Sequence, residues 1–145
     1  MSLDRDNAAG RLLDQMANLR AAVIDKLGHF AAEIDPQPAS LSIFGSFARG
    51  VADARSDLDV LAVRCGSADG ERWARALSEF AGRARSLTGN SVELLDYDLD
   101  ELRRKTSTRS ARVGDELWAS ICRDAVTLVG SRPQDLLKAA RGTAR

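Results

Sequence analysis

The sequence has 145 residues, with 21 Lys and Arg balanced by 21 Asp and Glu, so its formal net charge is zero. A chain of this length with 44% hydrophobic residues can bury a core, and its composition excludes an intrinsically disordered protein. The balanced charge gives no strong signal for nucleic-acid binding. No apolar run is long enough for a membrane span, and the first residues do not form a signal peptide. We therefore expect a cytoplasmic protein.

A long helix is the first predicted element. Its apolar residues recur at steps of three and four, which is the spacing of one helical face. The helix cannot pass Asp35-Pro36, because proline lacks an amide hydrogen and disfavours the helical conformation of the residue before it. The sequence leaves open whether this helix forms a homo-oligomer. The apolar residues of its face are Leu12, Met16, Leu19, Val23, Leu27 and Phe30.

Strands and helices alternate after this helix. A short strand is predicted over 41–44, and the apolar, β-branched run over 58–63 is typical of a central strand. Apolar residues from Trp73 to Leu87 at helical spacing predict a helix, which Gly89 is placed to cap. The remaining predictions are a strand over 92–97, helices after 98 and over 115–122, a strand over 125–129 and a terminal helix near Pro133.

This pattern predicts an α+β fold in one domain over residues 1–145. Its parts are an N-terminal helix at about 4–34, a catalytic core at about 40–130 and a short C-terminal helix and tail over 131–145. We expect a small mixed sheet to carry a functional site on one edge or face, with helices covering the other side.

A Gly-Ser pair directly follows the first predicted strand. Gly45 permits a sharp turn and a close approach to a ligand, while Ser46 begins a helical turn whose free amides can hold phosphate oxygens. The sequence therefore predicts a binding turn for a triphosphate. Arg49 and Arg55 fit either a role in holding phosphate charge or that of ordinary exposed arginines.

Two carboxylates lie one residue apart at the start of the next strand. Asp57 and Asp59 would point to the same face of a strand, where their repulsion favours a bound cation, and Mg²⁺ prefers such hard oxygen ligands. Glu93 is the candidate for a third carboxylate, because its side chain would point away from its apolar neighbours in the third strand. A solvated strand end and a surface glutamate are the alternative interpretations.

The stretch from Gly45-Ser46 to Asp57-Leu58-Asp59 resembles the polymerase-β-like nucleotidyltransferases, and most closely their short members, the minimal nucleotidyltransferases. Gly50 and Ser56 also lie where that family often has Gly and Ser. The resemblance implies that the Gly-Ser turn contacts the triphosphate. We also expect Arg49 and Ser56 to bind the nucleotide. The resemblance also implies that catalytic metals are bound by Asp57, Asp59 and Glu93, although the third acidic position is more often Asp in the family.

The resemblance implies a Mg²⁺-dependent transfer of a nucleoside monophosphate, AMP from ATP, to an acceptor hydroxyl. Short members of the family are often antitoxins paired with a HEPN-domain ribonuclease toxin, and some transfer AMP to a tyrosine of that toxin. One alternative is an aminoglycoside-type enzyme, which usually carries an additional helical domain. Another is a binding module without activity that masks its partner.

Overall fold

The structure is a computed structural model that describes residues 2–52, 55–107 and 115–142. Residues 143–145 of the expected C-terminal tail lie outside the described residues. The described elements confirm the predicted alternation of strands and helices. In chain order they are α1 Ser2–Ala32, β1 Ser40–Phe44, α2 Gly45–Ala48, β2 Leu58–Arg64, α3 Gly70–Thr88, β3 Val92–Asp98, α4 Leu99–Ser107, α5 Asp115–Asp124, β4 Val126–Gly130 and α6 Pro133–Gly142.

The four strands form one mixed sheet in the order β3-β2-β1-β4. Strand β1 is antiparallel to β2 and to β4, whereas β2 and β3 are parallel. A parallel pair needs a crossover connection, and α3 supplies it between β2 and β3. Helix α3 is capped by the Asp69 side chain at its start and by Gly89, with a φ of +74°, at its end.

Helices cover both faces of this sheet, the face opposite the site as expected and also part of the face that carries the site. On one face, residues of β1 and β2 pack against α1 and α3 around Leu27 and Phe80. On the other face, Leu61 and Val63 of β2 form a second cluster with Leu102 of α4 and residues of α5 and α6. Strand side chains alternate between faces, and apolar residues on both sides of β2 need cover on both sides.

Helix α1 extends beyond this core at its N-terminal end. Leu27 and Ala31 are fully buried, but the apolar residues about two to four turns before Leu27 are exposed. The helical spacing therefore predicted the helix correctly, but it did not show which part of the helix packs against the rest of the domain. No helix in the described part of the chain has the length and apolar composition to cross a membrane. The exposed large apolar side chains of α1, here called the apolar stripe, are Leu12 at 58%, Leu13 at 65%, Met16 at 59% and Leu19 at 67% exposure.

Candidate active site

The turn after β1 lies directly against an acidic side chain of β2. Phe44, the last residue of β1, is the register partner of Asp59 in the antiparallel pair β1-β2. Gly45 follows with a φ of +73°, a conformation that glycine adopts without steric cost. A Cβ atom at Gly45 would overlap Oδ2 of Asp59 and lie 3.2 Å from its Cγ. Glycine is thus required twice here, for the backbone conformation and for the approach of the carboxylate.

Strand β3 brings a second carboxylate to the same face. Glu93 is the register partner of Asp59 in the parallel pair β2-β3, so both side chains leave the sheet on one side. Val92 and Leu94, on either side of Glu93, pack against the opposite face with α1 and α3. The outward orientation expected for Glu93 from its apolar neighbours is therefore present in the structure.

Asp96 shows the other orientation along β3. Its Oδ1 accepts a hydrogen bond of 2.9 Å from Nε1 of Trp73, a buried residue of α3. Asp96 therefore serves the packing of α3 on the sheet and is turned away from the carboxylates of the site. The sequence prediction that Asp96 and Glu93 point in opposite directions agrees with this contact.

The electrostatics of Asp59 link three carboxylates and one arginine. Burial raises the pKa of Asp59, and the negative charges of Asp57 and Glu93 raise it further. Arg49 acts in the opposite direction and lowers the pKa of Asp59. These four side chains are thus close enough to interact, although they come from different segments. Arg49 directly follows α2, Asp57 lies just before β2, Asp59 lies in β2 and Glu93 in β3. A partly buried carboxylate beside two like charges favours protonation or a bound cation.

The donor set fits a hard divalent cation. Magnesium binds carboxylate oxygens, commonly through one or two of them together with phosphate oxygens of the substrate. Asp59 is half-buried at the site, while Asp57 and Glu93 are exposed at its rim. Within the described ranges, no three His, Cys, Asp or Glu side chains are grouped tightly enough to form a metal site on their own. A cation at Asp59 would therefore need further ligands, such as phosphate oxygens of a substrate.

The segment before Asp57 is held by a residue that sequence reasoning missed. Asn90 donates from Nδ2 to the carbonyl oxygen of Ser56 at 2.5 Å. The amide of Leu58 donates to the carbonyl oxygen of Ser91 at 2.8 Å. Asn90 lies 34 residues from Ser56, so no local pattern could have identified this contact. This hydrogen bond fixes the backbone immediately before Asp57.

Three of the predicted nucleotide-binding residues, Gly45, Ser46 and Arg49, lie in one compact loop. Residues 45–52, here called the nucleotide loop, begin with the short helix α2 and close through backbone hydrogen bonds. Ser46 is half-buried, and its carbonyl oxygen accepts from the amide of Val51 at 3.0 Å. Arg49 and Arg55 are both exposed. The charge of Arg49 lowers the pKa of Asp59, so Arg49 lies near the site. Contact of Ser46, Ser56 and Arg55 with a nucleotide stays a prediction.

Similarity to known proteins agrees with this geometry. The sequence profile of a family described as "Nucleotidyltransferase domain" matches residues 24–108, which is more than half of the chain. A chain from a toxin-antitoxin complex crystallised with AMP-PNP is 17% identical, with a TM-score of 0.52, and the alignment covers 82% of this chain and 84% of that one. A chain from a mutant MntA-HpeT toxin-antitoxin complex has the same identity, TM-score and coverage.

A chain from another mutant of that complex is 19% identical, with a TM-score of 0.50 and coverage of 81% of each chain. At such identities the structural likeness shows a shared fold. A search of curated proteins found no match to this chain. The profile match and the shared fold confirm the α+β fold and the family resemblance inferred from the stretch between Gly45 and Asp59.

Proposed function

Because the chain belongs to the nucleotidyltransferase domain family, we propose that it is a Mg²⁺-dependent adenylyltransferase acting on a hydroxyl of a partner protein. The observation that carries this proposal is the contact between Gly45 and Asp59. The turn that would bind phosphate thus lies beside one of the carboxylates that would bind the metal. Charge neutralisation and positioning are the main demands of this chemistry, and both need that proximity.

The proposed reaction is an in-line substitution at phosphorus. The acceptor oxygen bonds to the α-phosphorus of ATP, the bond from that phosphorus to the bridging oxygen breaks, and pyrophosphate leaves. Glu93 would orient the acceptor hydroxyl and take up its proton. The amides at Gly45-Ser46 would hold phosphate oxygens, with Arg49 and Ser56 as further contacts of the nucleotide. Asp57, Asp59 and Glu93 would hold Mg²⁺, which supplies positive charge at the phosphate oxygens when bound.

The acceptor that we propose is a HEPN-domain toxin, with this chain as its antitoxin. The resemblance to minimal nucleotidyltransferases supports that partner, as does the fold shared with chains of toxin-antitoxin complexes, one of them crystallised with AMP-PNP. Such a pair would act in the cytoplasm, where ATP is supplied.

Both hydrophobic clusters are built on one sheet, which supports the interpretation of residues 1–145 as a single domain.

Pyrophosphate release from ATP, measured with and without Mg²⁺ and with a purified HEPN-domain protein as acceptor, tests the proposal. We expect release that requires both additions, and mass spectrometry should find AMP on an acceptor hydroxyl. Asp57→Asn should abolish the release without loss of folding. Asp14→Asn is the matched control, because it changes an exposed aspartate of α1 far along the chain from the site.

Three other outcomes would each contradict the proposal differently. Binding of ATP without pyrophosphate release, in the presence of a bound partner, would indicate a masking module. Transfer of AMP to an aminoglycoside but not to the protein would indicate the small-molecule enzyme. Full activity of Asp57→Asn would show that the assigned metal ligand is wrong.

A further inference from the structure

The nucleotide loop is held from behind by an arginine of α1 to which the proposed reaction assigns no role. Nε of Arg20 donates to the carbonyl oxygen of Phe47 at 3.1 Å, and its Nη2 donates to the carbonyl oxygen of Ala48. Arg20 is half-buried and lies 27 and 28 residues before these acceptors. Its aliphatic end lies 3.9 Å, measured from Cδ, from where a Cβ of Gly50 would be.

These two acceptors belong to the end of a helix that is only one turn long. The last carbonyl groups of any helix have no partner within that helix. In α2, the carbonyl of Gly45 accepts from the amide of Arg49 at 3.1 Å, and the carbonyl of Phe47 accepts from the amide of Gly50 at 3.1 Å. Arg20 adds a charged donor at Phe47 and supplies one at Ala48. A guanidinium has several N–H groups in a rigid planar arrangement, so one side chain can serve both carbonyls.

Two sets of contacts therefore fix the loop. Gly45, its first residue, lies against the carboxylate of Asp59. The carbonyl groups of Phe47 and Ala48 accept hydrogen bonds from Arg20. Helix α1 is itself anchored in the core by Leu27 and Ala31, which are fully buried. Arg20 thus connects the nucleotide loop, through α1, to the hydrophobic core.

We propose that Arg20 is a positioning residue, which holds the amides at Gly45-Ser46 at the distance from Asp59 that a metal-bound triphosphate requires. This inference rests on the proposed function for its catalytic meaning. Arg20 touches no substrate in this scheme and acts through the backbone of the nucleotide loop. Its loss should loosen that loop more than it destabilises the domain.

Hydrogen exchange of the protein without nucleotide tests the structural part. In Arg20→Ala, the amides of Gly50 and Val51 should exchange about tenfold faster, since a hydrogen bond from a charged donor contributes more than a neutral one. Amides of β2 should keep their exchange rates. Arg20→Lys, with a single donor group, should have an intermediate effect. Arg11→Ala is the matched control, because Arg11 is an exposed arginine of the same helix.

Steady-state kinetics test the functional part. In Arg20→Ala, the KM for ATP should rise about tenfold while the KM for the acceptor protein stays the same, and Arg20→Lys should restore part of the ATP affinity. Equal acceleration of exchange in the loop and in β2 would overturn the inference, because Arg20 would then be a general structural residue. An unchanged KM for ATP in Arg20→Ala would also overturn it.

Failure of this inference differs from failure of the proposed function. If the wild-type protein releases pyrophosphate but Arg20→Ala leaves loop exchange and KM unchanged, the role of Arg20 alone is wrong. If the wild-type protein neither binds ATP nor releases pyrophosphate, the proposed function is wrong. In that case the exchange experiment still decides whether Arg20 holds the loop.

Discussion

The two faces of strand β2 differ at one position. On the face toward α1 and α3, Leu58, Val60 and Ala62 are all buried. On the face toward α4, α5 and α6, Leu61 and Val63 are fully buried, but the side chain that precedes them is the half-buried Asp59. The cover provided by the second group of helices thus stops before the start of the strand. One strand thus contributes to the core and presents a half-buried carboxylate within a few residues.

The largest effect expected within β2 is the loss of transfer in Asp59→Asn. Removing one carboxylate of the proposed metal site should lower the rate of pyrophosphate release by a factor of about 100 to 1,000, as for other groups that stabilise charge in a transition state. The measurement is the initial rate with ATP, Mg²⁺ and the acceptor protein. An activity within twofold of wild type would remove Asp59 from the mechanism.

Val60→Ala, one residue along the same strand, should have the opposite profile. Val60 is fully buried, and the lost methyl groups with the cavity left behind should lower the free energy of unfolding by about 2 kcal/mol. Urea denaturation measures this change, with Val51→Ala as a matched control at a side chain that is 66% exposed. Activity below the unfolding transition should be near that of wild type. A similar loss in both valine variants would contradict the assigned burial.

The pH dependence of stability should separate Asp59 from the rest of the strand. Burial, Asp57 and Glu93 raise the pKa of Asp59 in the folded protein, so the folded state holds a proton that the unfolded state releases. The wild-type protein should therefore lose stability as the pH rises from the ordinary carboxyl pKa to the raised one, and Asp59→Asn should lack this loss.

The stability gained in Asp59→Asn over wild type should thus be absent in acid and complete above the raised pKa. Denaturation of both proteins across that pH range, without nucleotide or metal, gives the difference directly. A gain that is independent of pH would contradict the role of charge. Added Mg²⁺ should reduce the gain at neutral pH, because a cation favours the ionised Asp59 of the wild type.

The smallest effect is expected in the apolar stripe of α1. Leu12 is 58% exposed, so Leu12→Ala should change the free energy of unfolding by less than about 0.5 kcal/mol. Leu27→Ala, the buried counterpart in the same helix, should cost about 2 to 5 kcal/mol. Urea denaturation at two protein concentrations measures both. A large cost for Leu12→Ala that grows with protein concentration would show that a second copy covers the stripe in solution.

Local sequence determined most of the helices and strands and the segments on which the candidate site residues lie. The helix at Trp73 to Leu87 ends at Gly89, the glycine that was expected to cap it. This end was predictable because a left-handed backbone conformation at the cap depends on a single residue, which is usually glycine. The outward orientation of Glu93 followed from the alternation of side chains along a strand. The Gly-Ser turn was predictable because it lies immediately between a strand and a helical turn. The roles of these residues toward nucleotide and metal stay predictions.

Only the tertiary structure decided which surfaces are covered and what holds the site. The spacing of Leu12, Met16 and Leu19 is the same as that of the buried part of α1, but the domain ends before it reaches them. The contacts of Arg20 with the nucleotide loop and of Asn90 with Ser56 join segments 27 to 34 residues apart. Periodicity and turn preference depend on neighbours within about one or two helical turns. Contacts between distant segments depend on the packing of the whole sheet, which no local pattern specifies.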